Sequence, residues 1–167
     1  MSALIDILKA GGCYWPATAP GRALAIPNRA RFRVALDTPG APPFAAGVCR
    51  DGWFGFEDGP RAGRAFESAP AAVEAVGGTQ GDAYRRMEFL AGGHWMSADA
   101  IRGSGALPWD EADELALAIA IDAVRDKTRS AGEALSAPAL VRKAAEVVAV
   151  SPYFLDEARQ QLDWMKR

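Results

Sequence analysis

The 167 residues predict an α+β fold: a small, mostly antiparallel sheet with short capped helices, followed by a three-helix C-terminal unit. Three observations lead there. From Arg31 onward apolar residues recur with a period of two, the spacing of half-buried strands. Short Ser-led segments closed by glycine, such as SAPAAVEAVGG, carry the start and stop signals of brief helices. Beyond Gly103-Ser-Gly every segment reads as helix. The division expected is a body over residues 1–105 and a helical unit over 106–167, packed together as one globular whole. Half the residues are apolar and five are Trp, enough to anchor a core in a chain of this length.

In chain order, Ser2 to Ala10 predicts a short amphipathic helix, capped by Ser2, with Leu4, Ile5, Ile7 and Leu8 on its apolar face and Gly11-Gly12 ending it. CYWPATAPGRALAIPNR, with three prolines, is expected to be ordered but irregular, with Tyr14 and Trp15 tucked against the core. RFRVALD sets Phe32, Val34 and Leu36 against Arg31, Arg33, Ala35 and Asp37 as a half-buried strand. FAAGVCR and WFGFE read as two strands around Asp51-Gly52, a dipeptide favoured in two-residue hairpin turns. A short extended piece follows at Ala65–Glu67, and then the helix of SAPAAVEAVGG. YRRMEFL and HWM are expected as strands around Ala91-Gly92-Gly93, and SADAIRG as a capped turn or two of helix.

WDEADELALAIAIDAVRDK opens with four carboxylates and closes with Arg125 and Lys127, a distribution that suits the helix dipole. Its apolar middle is expected to be largely buried. SAPALVRKAAEVVAV and SPYFLDEARQQLDWMKR each begin with a Ser cap and an early Pro, completing the three helices.

Charge excludes little and favours little. The net charge of −2 gives no bulk attraction to nucleic acid or anionic lipid. The longest apolar run, Leu115 to Ile121, is far short of the ~20 residues a membrane span needs. Asp6 and Lys9 interrupt the only early apolar run, so no secretory leader is expected. Cys13 and Cys49 show no pairing motif, and two cysteines in a chain this long do not read as a disulfide scaffold. A cytoplasmic, reducing compartment is the corresponding expectation.

Reactive groups are few. His94 is the only histidine and follows Gly92-Gly93, so a turn explains it; the alternative is a thiol dyad with Cys49 as nucleophile and His94 as base. Two Cys and one His fall short of the four ligands of a structural zinc site. Asp110, Glu111, Asp113 and Glu114 are accounted for by their place at a helix start. VGGTQGD and GSG lack the spacing of a nucleotide loop, so neither metal nor cofactor is expected.

Arginine is the suggestive residue. Fifteen of the nineteen cations are Arg, and Arg22, Arg29, Arg31 and Arg33 fall within an acid-free stretch of twelve residues. Arg31 and Arg33 share a strand face and, with Arg85 and Arg86 read on another extended piece, are the expected contacts to phosphate or to an acidic protein. Exposed aromatics beside them would add base stacking.

FESAPAAVEAVGG, with a further strand and a Gly-Gly-His-Trp turn after it, resembles the small RAMA-like domains attached to restriction enzymes and adenine methyltransferases, over residues 52–103. VRKAAEVVAVSPYFLDEA, residues 141–158, is similar to the closing helices of repressor-type helix-turn-helix domains. Both resemblances imply nucleic-acid biology. The function expected is therefore that of a non-enzymatic interaction module of bacterial or phage type, meeting nucleic acid or a nucleic-acid-handling protein through an Arg-bearing surface. The alternatives are a small-ligand binder or thiol enzyme with its pocket between sheet and helices, and a structural subunit that self-associates through its C-terminal helices, as in a phage or secretion assembly.

Overall fold

The computed structural model describes residues 3–16, 23–104 and 110–167; the expected Ser2 cap, Arg22 and the GSG loop's last residue lie outside them. The fold is α+β. Its main sheet has six strands in the order β6-β5-β4-β3-β7-β8, all neighbours antiparallel, with β3 at Arg31–Ala35, β4 at Phe44–Arg50, β5 at Trp53–Phe56, β6 at Ala65–Phe66, β7 at Met87–Ala91 and β8 at His94–Ser97. Asp51 and Gly52 join β4 to β5 with φ of 53° and 87°, the two positive values a type I′ turn requires. That turn fixes the register Arg50↔Trp53 and Val48↔Gly55.

Helices α2 (Ala69–Ala75), α3 (Ala83–Arg86) and α4 (Ala98–Gly103) cover one side of this sheet. Ser68 and Ser97 cap α2 and α4, each side chain accepting from a backbone N–H three residues on. Between sheet and helices lies the first core, built on Phe32, Val34, Phe54, Phe56, Met87 and Phe89. Burying each such side chain contributes about 1.5–3 kcal/mol.

The second core belongs to the C-terminal three-helix unit of α5 (Glu111–Ser130), α6 (Ala137–Val150) and α7 (Pro152–Met165). On α5 the deeply buried positions Ala112, Ala116 and Ala120 form a stripe of small side chains at i, i+4 spacing, while Leu115, Ile119 and Ile121 are only half-buried. The helix is thus less enclosed than its apolar run predicts. The N-terminal helix α1 (Ala3–Lys9) adds Leu4, Ile5 and Leu8 to this second core, packing chiefly on α6.

Two departures from the sequence reading concern the stretch after α1. Cys13–Trp15 (β1) and Leu24–Ile26 (β2) pair antiparallel instead of being irregular. Cys13, Trp15, Leu24 and Ile26 face the first core, whereas Ala25 is buried in the second and Tyr14 packs against it. Burial on both faces explains why the usual alternation is absent there. Secondly, Cys13 is joined to Cys49 of β4 by a disulfide, with the Cα atoms 6.1 Å apart. Both side chains are fully buried, so proximity in the core makes the pair, not sequence spacing. A third departure is at Tyr84–Arg86, expected as strand and found helical: the turn in which Thr79 N–H donates to Asp82 Oδ2 at 3.4 Å feeds directly into α3, and extended backbone begins only at Met87.

The hairpin between β4 and β5 docks the two cores together. Gly52 N–H donates to Gly11 O at 3.0 Å, and a Cβ at Gly52 would lie 2.6 Å from Pro138 Cβ at the start of α6. Cross-linking across the 36-residue separation of Cys13 and Cys49 should stabilise the fold by about 4 kcal/mol on chain-entropy grounds. Guanidinium denaturation of oxidised and reduced protein checks this: an unfolding free energy lower by about that amount is expected for the reduced protein, and coincident curves would contradict it.

Candidate functional site

Alternation along each strand leaves one face of the six-stranded sheet without a covering helix. On β3 this open face carries Arg31 and Arg33, on β4 Phe44, Ala46, Val48 and Arg50, and on β5 Trp53 and Gly55. Antiparallel register lines these up. One row runs Trp95, Leu90, Arg31, Val48, Gly55, Ala65 across all six strands, a span of roughly 24 Å at ordinary strand spacing. The row below it contains Glu88, Arg33 and Ala46. Half-buried Trp53 and Trp95 stand toward opposite ends of this surface with Arg31 between them.

The two arginines predicted on this face have different duties. Arg33 is three-quarters buried: its guanidinium lies 3.8 Å from the Phe44 ring centroid and 4.5 Å from that of Trp95, and its Nε donates to Glu88 Oε1 at 3.1 Å. It is a strut binding β4, β3, β7 and β8. Arg31 is exposed, with Glu57 at a loose 3.8 Å that solvent screens. Arg50 and Arg64 are also exposed, and no ion pair holds either among the described residues.

Arg85 and Arg86 do not join them. Both ride on α3, on the covered side of the sheet, because Tyr84–Arg86 is a helical turn. Arg85 points to solvent beside Asp82, at 3.3 Å. Arg86 pairs with Asp37 and donates to Ala35 O at 2.7 Å, clamping α3 to the end of β3. The four predicted contacts therefore resolve into one free cation, one strut, one clamp and one arginine on another surface. Arg50 and Arg64 were missed. Alternation within FAAGVCR and the two-residue Asp-Gly turn would have placed Arg50 on the face of Arg31.

The alternative dyad is taken apart by the same geometry. The Cys49 sulfur is bonded to Cys13 and, bonded or reduced, is fully enclosed on the inner side of β4. His94 is exposed on β8, three strands away, roughly 14 Å at ordinary spacing. Gly92 and Gly93 before it have φ of 58° and 82°, so His94 stands where a tight hairpin turn puts it. Among the described residues no group of three or more His, Cys, Asp or Glu side chains is placed to hold a metal ion.

A groove lies where β1 meets α5 and α7, between Tyr14, Glu114, Leu115, Ile121, Leu162 and Met165, and not against the six-stranded sheet. Burial, reinforced by the nearby Glu114 carboxylate, raises the Tyr14 phenol above the ordinary tyrosine range. Desolvation likewise raises Glu114, against the pull of Arg102.

The C-terminal helix shows a further surface feature, with Tyr153, Trp164 and Met165 exposed on α7. No helix among the described residues is long and apolar enough to cross a membrane. Comparison with family models, with curated proteins and with solved structures gives no match.

Truncation separates the two arginines of β3. Arg33→Ala is expected to cost about 1–2 kcal/mol through its lost ring contacts and ion pair, and Arg31→Ala no more than about 0.5 kcal/mol. Equal costs in urea denaturation would contradict the strut.

Proposed function

We propose that the protein is a non-enzymatic, cytoplasmic interaction module that binds nucleic acid on the open face of its sheet. The observation that carries this is the coincidence, on one uncovered face, of exposed Arg31, Arg50 and Arg64 with the half-buried indoles of Trp53 and Trp95. Cations set the phosphate backbone in place and aromatic faces take the bases, the division of labour of sheet surfaces that bind single strands. The resemblance of residues 52–103 to RAMA-like domains, and that of 141–158 to the closing helices of repressor-type helix-turn-helix domains, lean the same way. The overall charge of −2 is no obstacle, because the acids concentrate after residue 108.

A cytoplasmic location means that thiols are kept reduced. There the Cys13–Cys49 bond, enclosed in the core, faces a reducing pool. The Cys49 side chain lies on the inner side of β4, away from Val48 and Arg50, so binding does not depend on the bond.

Charge reversal tests the surface directly. The double variant Arg31→Glu/Arg50→Glu is expected to lose retention on a polyanion column and to flatten the salt dependence of binding by about 0.7 logarithmic units per lost contact, with an unchanged melting temperature. Retention equal to that of the unaltered protein would contradict the assignment. Arg33 is unsuitable for this test because its substitution disturbs the sheet.

Exposure of Tyr153 and Trp164 supports a second property, self-association through α7. It leaves the open face of the sheet free, since α7 packs against α5 and α6.

A further inference from the structure

Gly55 sits in the middle of a strand, where glycine weakens the pairing and supplies nothing to pack. Three structural reasons for a glycine can be checked against the geometry. A left-handed backbone is one, but Gly55 does not have positive φ. Close packing is another, yet an added Cβ would meet only Val48 O, at an ordinary 3.7 Å. A bulge is the third, and the register runs unbroken through Val48↔Gly55. Its neighbour Gly47 makes the contrast: a Cβ there would collide with the Gly55 carbonyl and the Phe32 ring. Gly47 is demanded by the core, and Gly55 is demanded by nothing inside the fold.

What the missing side chain does is open a recess on the outer face. Val48 and Gly55 make its floor, Trp53 and Glu57 stand at either end along β5, and Arg50 and Arg64 flank it. Trp53 and Glu57 are four residues apart, about 13 Å along an extended strand. That gap holds one planar ring against the Trp53 indole, with room for its polar edge toward Glu57. The Glu57 carboxylate, half-exposed and only loosely tied to Arg31, can accept from an amino or imino group. The exposed guanidinium groups are placed to meet flanking phosphates.

We infer that the Gly55 recess is the seat of a single unpaired base, so that the sheet face recognises single-stranded nucleic acid over duplex. The inference rests on the proposed function and narrows it. A duplex keeps its base faces stacked and can offer this surface only its phosphates, whereas a single strand can turn one base into the recess against Trp53.

Fluorescence anisotropy with a labelled 12-nucleotide strand, in deoxyribose and in ribose form, and with the matching duplex, tests it. The unaltered protein should bind single strands at least about tenfold more tightly than duplex. Gly55→Val, a residue suited to strands, places a Cβ that meets only Val48 O, at 3.7 Å, and directs its methyl groups into the recess, so its melting temperature should not fall. It should weaken single-strand binding by roughly ten- to a hundredfold, the loss of one base stack, and leave duplex binding unchanged. Trp53→Leu should give the same pattern. If Gly55→Val binds single strands like the unaltered protein while Arg31→Glu/Arg50→Glu does not, the recess is idle and the face binds phosphates alone. If neither variant loses affinity, the sheet-face assignment falls as well.

Discussion

A two-stranded hairpin buried on both faces decides what the rest of the molecule can present. β1 and β2 turn Cys13, Trp15, Leu24 and Ile26 into the sheet core and Tyr14 and Ala25 toward the helical core. Such a hairpin cannot face solvent on either side, so sheet and helices must close on it together. Once they have done so, the inner side of the sheet is spent: α2, α3, α4 and the hairpin occupy it. The other side is left bare by the same arrangement. Its openness follows from where the core lies.

The bare side then has to be stable in water without being idle. A strut of Phe44, Arg33, Trp95 and Glu88 braces four strands across it and absorbs one of its cations. The guanidinium groups of Arg50 and Arg64 flank Gly55, where the pleated surface is hollow, and Arg31 lies two strands away in the same row. Of the two arginines of β3, one is thereby taken up by the fold and the other left at the surface. A cation held by rings and a carboxylate is worth most to the fold; one held by a distant carboxylate in solvent is worth little to it and is available to a partner.

Local features of this fold were legible before any coordinates. Period-two alternation located β4 and β5 to within a residue and ran β3 two residues too far, Asp51-Gly52 marked the hairpin of β4 and β5, and Ser caps placed α2, α4 and α6. Features that depend on distant contacts were not. The hairpin at β1 and β2 lacks alternation because both its faces are buried, and the Cys13–Cys49 bond spans segments related only through the core. Tyr84–Arg86 failed for a shorter-range reason: three residues carry no period of their own, and the turn at Thr79 decides them. At the candidate site, alternation showed that Arg31 and Arg33 share a face. It could not show that Phe44 and Trp95 close over one of them, or that Arg50 arrives beside the other through the register of β4.

The central claim is that nucleic acid meets the open face of the sheet and not α7. Side-chain indole N–H signals report on it directly, because Trp53 and Trp95 lie on that face, Trp15 is enclosed in the core and Trp164 is exposed on α7. Titration with a short single-stranded oligonucleotide should shift or broaden the signals of Trp53 and Trp95 and leave those of Trp15 and Trp164 in place. Movement of Trp164 with Trp53 and Trp95 unmoved would contradict the claim and move the binding surface to the C-terminal helix.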